Sequence, residues 1–304
     1  MNKNAKNILS LGVCALFLLC FSLWGMLKED DALSLSERRP LKQFPSLSTQ
    51  EVLSGRFQSN FESYTLDQFP LRDTFRTLKA LAVRDLFREK DNNGIYVADG
   101  YAAKLDPTLN ESSLDHAADR FRYVYETYLK DTDAKVYLSI IPDKNYFLAA
   151  ENGYPSLDYE RLFAYMREKT DYAQYIDLTG ALSLSSYYRT DTHWRQEELL
   201  PVAKLLADTM GADLPEGFTS VTLGTPFSGV YRGQSALPMP PDTLTYLTND
   251  ALEGCRVYDY ENDAYLPIYT LDKAGGNDPY EIFLSGPKSL LHIENPNSAT
   301  ERNL

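Results

Sequence analysis

Tyr187-Tyr188-Arg189-Thr190-Asp191-Thr192-His193-Trp194 places a carboxylate two residues before an imidazole, between aromatic rings and just ahead of an amphipathic helix predicted over residues 196–210. In such a pair the carboxylate accepts the ring N–H, fixes the tautomer and stabilises the imidazolium, which leaves the second ring nitrogen as a general base. His193 is the candidate base and Asp191 its orienter, two thirds of a hydrolytic triad. With 3 His among 43 acidic residues the bare spacing is unselective, so the flanking sequence must carry the reading.

Upstream, Ala134 to Ile141 is a nearly continuous apolar run that reads as a buried strand, stopped by Pro142-Asp143-Lys144. A helix over Tyr159 to Lys169, a short strand at Gln174 to Leu178, a loop and the Asp-His segment follow. Strand, helix, strand, helix at these spacings predicts an α/β fold with a parallel sheet and right-handed crossovers. Such sheets bind ligands at the carboxyl ends of their strands. Pro142-Asp143-Lys144 and the Asp191-His193 loop would both open on that edge.

Before this segment, Asn92-Asn93-Gly94 opens a predicted hairpin, Ile95-Tyr96-Val97 turning at Asp99-Gly100. Ser112 or Ser113 then caps a predicted helix whose buried face is Leu114, Ala117, Phe121, Val124 and Tyr128. From Gly211 onward the texture changes, with 9 prolines after Pro201 and short tyrosine-rich runs, so residues of about 211–275 read as strands and long loops of an insertion or lid.

The N-terminus has its own logic. Ile8 to Leu27 are 20 positions without a charge, the length that crosses a bilayer core as a helix. Lys3 and Lys6 precede the run and Glu29, Asp30 and Asp31 follow it, which places residues 1–7 in the cytoplasm and the rest outside the cell membrane. The run is long for a signal peptide and no small-x-small cleavage site follows Trp24, so an uncleaved single-pass anchor over residues 8–27 is expected. Residues 28–90 read as a polar tether and a helical hairpin: Ser48-Thr49-Gln50-Glu51 is a helix start, Phe57, Phe61 and Tyr64 follow at helical spacing, and Phe69-Pro70 separates a second helix bearing Phe75, Leu78, Ala82 and Leu86.

Composition excludes several classes. A chain of 304 residues that is 43% hydrophobic can bury a sizeable core as one large or two ordinary domains. Without Lys3 and Lys6, 28 basic residues face 43 acidic ones, a balance that repels nucleic acid and anionic headgroups. Cys255 is the one cysteine beyond the anchor, so the exported part closes no disulfide on itself. Three separated His and that single Cys offer no metal-ligand spacing, and neither metal nor cofactor is expected.

Phe57 with Asp67-Gln68-Phe69-Pro70-Leu71-Arg72-Asp73, Pro142-Asp143-Lys144, Tyr187 to Trp194, Phe227-Ser228-Gly229-Val230-Tyr231, and Tyr280 to Glu294 together resemble the DHHW proteins of Gram-positive bacteria. These are relatives of the alginate O-acetyltransferase proteins that carry an SGNH-hydrolase-like domain. The Thr-Asp-Thr-His-Trp block matches the acetyltransferase spelling, whereas the DHHW spelling has His at the position of Thr192. The resemblance implies an SGNH-hydrolase-like α/β/α sandwich over residues 91–304, outside the membrane, with His193 as base for a serine in an Asp-Ser-Phe or Asp-Ser-Tyr elbow further along. No such tripeptide occurs in the 304 residues, and the chain stops after Glu301-Arg302-Asn303-Leu304, where that last strand would begin. A fragment whose sheet is incomplete at its C-terminus is therefore expected. Ser139, Ser228, Ser235 and Ser285 are the substitute serines to weigh.

The function implied is transfer or removal of acyl groups, acetyl foremost, on a cell-surface polysaccharide, with an acyl-donating membrane protein as a further partner. Tyr188 and Trp194 would be packing or sugar-stacking walls, Arg189 or Lys144 a cleft cation, and Tyr231 a further substrate contact. The competing reading is a non-catalytic protein that binds glycan or scaffolds a cell-envelope assembly.

Overall fold

The charge-free run near the N-terminus forms the first helix, Lys3–Leu27, in the computed structural model of the chain, which describes residues 3–296. Its segment Asn4–Leu27 is long and apolar enough to cross a membrane. The expectation for Glu301-Arg302-Asn303-Leu304 lies outside the described residues. The chain divides into two units, one running to Glu89 with Ala236–Pro238 added, the other taking Lys90–Ser235 and the residues from Met239 onward.

In the first unit, Ser48 caps the short helix Thr49–Leu53 by accepting the Glu51 N–H, as its spacing predicts. Helices Arg56–Asp67 and Arg72–Leu81 follow, separated by the corner Gln68-Phe69-Pro70-Leu71. Asp67 ends the first of these helices nearly buried, because the Arg39 guanidinium grips both its oxygens at 2.6 and 2.8 Å and the Lys42 N–H adds a third bond at 2.9 Å. Those contacts hold the Asp67 carboxyl down to about 2.

The second unit opens with the antiparallel hairpin Ile95–Ala98 and Tyr101–Lys104. Asp99 and Gly100 take φ of 49° and 79° at its tip, the left-handed geometry that closes two-residue turns. The next helix, Glu111–Val124, is capped by the Asn110 side chain rather than by Ser112 or Ser113. Its inward line is also shifted, since Phe121, Val124 and Tyr128 are exposed. Tyr125 stacks on Tyr172 at 4.2 Å and Arg122 donates to the Lys169 carbonyl at 2.8 Å, so these two residues continue the inward line from Leu114 and Ala118. A π-helical turn over Tyr125–Leu129 completes the rotation.

The parallel sheet expected from the apolar runs is narrow. Tyr137–Leu138 pairs in parallel with Gln174–Tyr175 across the helix Tyr159–Lys169. That pair is the only parallel one among the described residues, and ladder bonds form only where a neighbouring strand runs alongside. The helix predicted from Gln196 begins at Leu200 and runs to Met210, because Pro201 has no N–H for the preceding turn, which stays 3₁₀ over Gln196–Glu198.

The region after Gly211 carries ordered strands. Thr219–Phe227 pairs antiparallel with Asp242–Thr248, with a register shift between Thr222 and Pro226. Arg256–Asp259 lies between Ala264–Leu266 and Leu291–Glu294 in a three-stranded antiparallel sheet. Tyr188, Phe227, Leu244, Ala274 and Ile282 form one buried cluster, and Ile176, Leu178, Leu182 and Val202 another. The Asp-His loop runs between these two clusters, with Tyr188 in the first and Trp194 packed against the second.

Candidate active site

Local geometry brings Asp191 and His193 together. Tyr187 and Trp194 form an antiparallel bridge and the Tyr188 N–H donates to the His193 carbonyl at 3.1 Å, so the six residues between the bridge partners close into a tight loop. Inside it the Asp191 Oδ1 lies 2.6 Å from His193 Nδ1 and also accepts the His193 backbone N–H at 3.1 Å. Asp191 is wholly buried, whereas the His193 side chain is 44% exposed. His193 Nε2 has no hydrogen-bond partner among the described residues.

Residues far away in sequence lock this pair. The pairing of Phe227 with Asp242 carries two loop contacts to one place. On one side the Val230 N–H donates to Asp191 Oδ2 at 2.8 Å, and the Gly229 N–H to Thr190 Oγ1 at 2.8 Å. On the other, Asp242 accepts the Arg189 N–H at 2.9 Å, the Thr190 N–H at 2.8 Å and the Thr190 hydroxyl at 2.5 Å. Gly229 is dictated by this approach: a Cβ there would stand 2.3 Å from the Thr190 carbonyl atoms. Burial pushes the Asp191 carboxyl up, but the His193 ring and the two backbone N–H groups outweigh it and hold the group at about 2. The carboxylate therefore stays ionised and can stabilise an imidazolium.

The His193 ring lies parallel to that of Tyr280, centroids 3.9 Å apart, which fixes its plane. Burial raises the Tyr280 phenol to about 12, so this neighbour is neutral.

Lys144 is not the open cleft cation the sequence suggested. It is 2% exposed, donates to the Tyr188 carbonyl at 2.6 Å, and sits 5.3 and 5.8 Å from the ring centres of Tyr231 and Tyr101. Burial lowers its ammonium to about 8, against the pull of Asp191, Asp242 and Asp143. Its long stem is enclosed because the loop closes over it and takes its charge on a carbonyl.

Tyr188 is fully buried and belongs to the core cluster with Phe227, so it packs rather than stacking on sugar. Trp194 is half-buried against Ile176, Leu178 and Val202 for the same reason. Arg189 is exposed, with its guanidinium 5.9 Å from the Tyr101 ring centre. It lines a cavity of about 290 Å³ with Tyr101, Ser185, Tyr187, Arg195 and Asp242. Tyr231 donates its hydroxyl to Thr192 Oγ1 at 3.2 Å, on the His193 side of the loop.

Of the substitute serines, Ser235 is buried with its hydroxyl on the Arg232 carbonyl, Ser285 is buried beside the Thr270 hydroxyl, and Ser228 meets the Arg232 guanidinium. Among the described residues no group of three or more His, Cys, Asp or Glu is arranged to hold a metal ion. Asp242 is absent from the residues singled out in the sequence, and Thr190 and Tyr280 stand there only as members of motifs, with no role of their own. Asp242 follows Pro240-Pro241 at a strand start, a faint signal, and nothing local joins it to residues 189–190.

Comparison with known proteins adds the fold. No family model matches the chain, and no curated protein matches it. A DHHW family protein from Eubacterium siraeum DSM 15702 is similar in structure, with a TM-score of 0.55 and 18% identity over 69% of this chain and 73% of that one. Bacillus cereus PatB1 carrying a sulfonyl adduct is similar with a TM-score of 0.52 and 16% identity, over 67% of this chain and 75% of its own. PatB1 in a second structure gives 0.52 and 15% over 68% and 77%. At these identities the likeness is one of fold.

Proposed function

We propose that this chain is the anchored, extracytoplasmic part of an SGNH-hydrolase-like acyl-transfer system. It moves or removes acyl groups, acetyl foremost, on a cell-surface polysaccharide, with His193 as general base and Asp191 as its orienter. The observation that carries the reading is the buried, low-pKa Asp191 holding Nδ1 of a half-exposed His193 at 2.6 Å. In such a pair Nε2 takes the proton of an attacking serine hydroxyl and returns it to the leaving alcohol, and the acyl group passes from oxygen to oxygen. A sulfonyl adduct on the structurally similar PatB1 supports this chemistry, because sulfonyl groups are captured by activated nucleophiles. Arg189 and Tyr101, beside the polar cavity, would hold the glycan, and Tyr231 would keep the rim of the loop in place. The nucleophile would be a serine hydroxyl within reach of His193 Nε2. An acyl-donating membrane protein would supply the group.

The cavity lined by Tyr101, Arg189 and Arg195 also favours a second reading, glycan binding without chemistry. Sulfonyl-fluoride labelling of the protein from its own cells, read by mass, separates the two. A covalent adduct that disappears in His193→Ala supports the acyl-transfer reading. Glycan retention that survives His193→Ala, with no adduct in either protein, supports the binding one.

A further inference from the structure

The corner Gln68-Phe69-Pro70-Leu71 lies alongside the apolar N-terminal helix instead of beyond its end. Phe69 stacks on Phe21, ring centroids 5.4 Å apart and planes within 5°, and Phe75 meets the same ring edge-on at 5.7 Å. A Cβ at Gly25 would touch Pro70 at 3.7 Å, so the glycine allows close packing. Depth follows from helix geometry. Phe21 precedes Leu27, the last helical residue, by six positions and Gly25 precedes it by two, so at 1.5 Å per residue the Phe69 ring lies roughly 9 Å and Pro70 roughly 3 Å below the helix end. Gln68 sets the height of the corner: its side chain accepts the Asp31 N–H and donates to the Asp31 carbonyl, both at 2.9 Å, just outside the helix end.

Leu71 completes the pattern. It is 52% exposed and has a φ of 57°, a left-handed conformation in which a branched side chain is costly and glycine would be cheaper. Its exposed side chain is available for contact outside the fold.

We infer that the Phe69–Leu71 corner is a membrane wedge, with the Phe69 ring set below the helix end against the spanning helix and Leu71 at the boundary of headgroups and acyl chains, beside Asp67 and Asp73. The inference rests on Asn4–Leu27 spanning the bilayer. It fits the usual depth of interfacial segments, about 5–10 Å into the headgroup and acyl boundary. Asp67, gripped by Arg39, and the Lys28–Asp31 ion pair at 2.9 Å would then mark the headgroup level, where charge is tolerated.

The test uses the full chain in phosphatidylcholine vesicles, with Cys14, Cys20 and Cys255 replaced by Ala and an environment-sensitive fluorophore placed on Leu71→Cys or, separately, on Leu16→Cys. Leu16 lies in the middle of the span. Loss of most of the Leu71 signal to spin-labelled acyl chains, with protection from aqueous iodide, is the expected result. Quenching by iodide but not by lipid at Leu71, while Leu16 is quenched by lipid, overturns the wedge and leaves the anchor standing. Absence of lipid quenching at both sites removes the anchor and the wedge with it.

Discussion

His193 Nδ1 and Asp191 Oδ1 lie 2.6 Å apart, the carboxylate wholly buried and the ring 44% exposed. A pair so divided keeps its charge inside and its ring half outside. Burial alone would neutralise the acid, but three N–H donors, the ring and the backbones of His193 and Val230, reverse that pressure.

Asp191→Asn should therefore lower acyl transfer by about 10⁴-fold at unchanged fold, because the amide no longer selects the base tautomer. Circular dichroism alongside ester turnover checks it. Retention of full turnover would remove Asp191 from the mechanism.

The same carboxylate predicts an acid-dependent stability. Its folded value near 2 lies below the ordinary 3.8, so its contribution is complete above about pH 4 and is lost as pH falls towards 2. The difference in unfolding free energy between wild type and Asp191→Asn should shrink by about 2 kcal/mol across that window. Urea titrations at several pH values measure it, and a constant difference would contradict the assigned ionisation.

Lys144 should act in the opposite pH range. Its ammonium, lowered to about 8 from 10.5, releases its proton more easily in the folded than in the unfolded chain. Between pH 8 and 10.5 the unfolded state binds more protons, so wild-type stability should rise relative to Lys144→Met, by about 3 kcal/mol over the window. A flat difference would mean that the ammonium is solvated.

Gly229→Ala should cost about 3 kcal/mol, since its methyl would overlap Thr190 and Asp191 backbone and side-chain atoms at 2.3–2.4 Å. A melting temperature within error of the wild type would show that the loop yields there.

Trp194→Ala should reduce stability by about 2 kcal/mol through lost packing on Ile176, Leu178 and Val202, and leave glycan affinity unchanged. Arg189→Ala should do the reverse, with weakened glycan binding at constant stability, because its side chain is exposed beside the cavity. Affinity electrophoresis on the cell's own polysaccharide, set against thermal melts, distinguishes them.

Short-range features were legible in the sequence. The charge-free run became the helix Lys3–Leu27, Asp99-Gly100 became a hairpin tip, and Asp191 met His193 two residues on, because each needs only neighbouring backbone and side-chain geometry. The helix beginning at Glu111 shows where that reach ends: its periodicity pointed Phe121, Val124 and Tyr128 inward, and the stacking of Tyr125 on Tyr172 turned another line to the inside. Tertiary structure alone joined Val230 to Asp191 across 39 residues and Asp242 to Thr190 across 52, and enclosed Lys144 beneath the loop. No local pattern encodes such contacts. They exist because the pairing of Thr219–Phe227 with Asp242–Thr248 fixes a register that delivers both strand ends to one loop, and the loop then buries whatever cation lies under it.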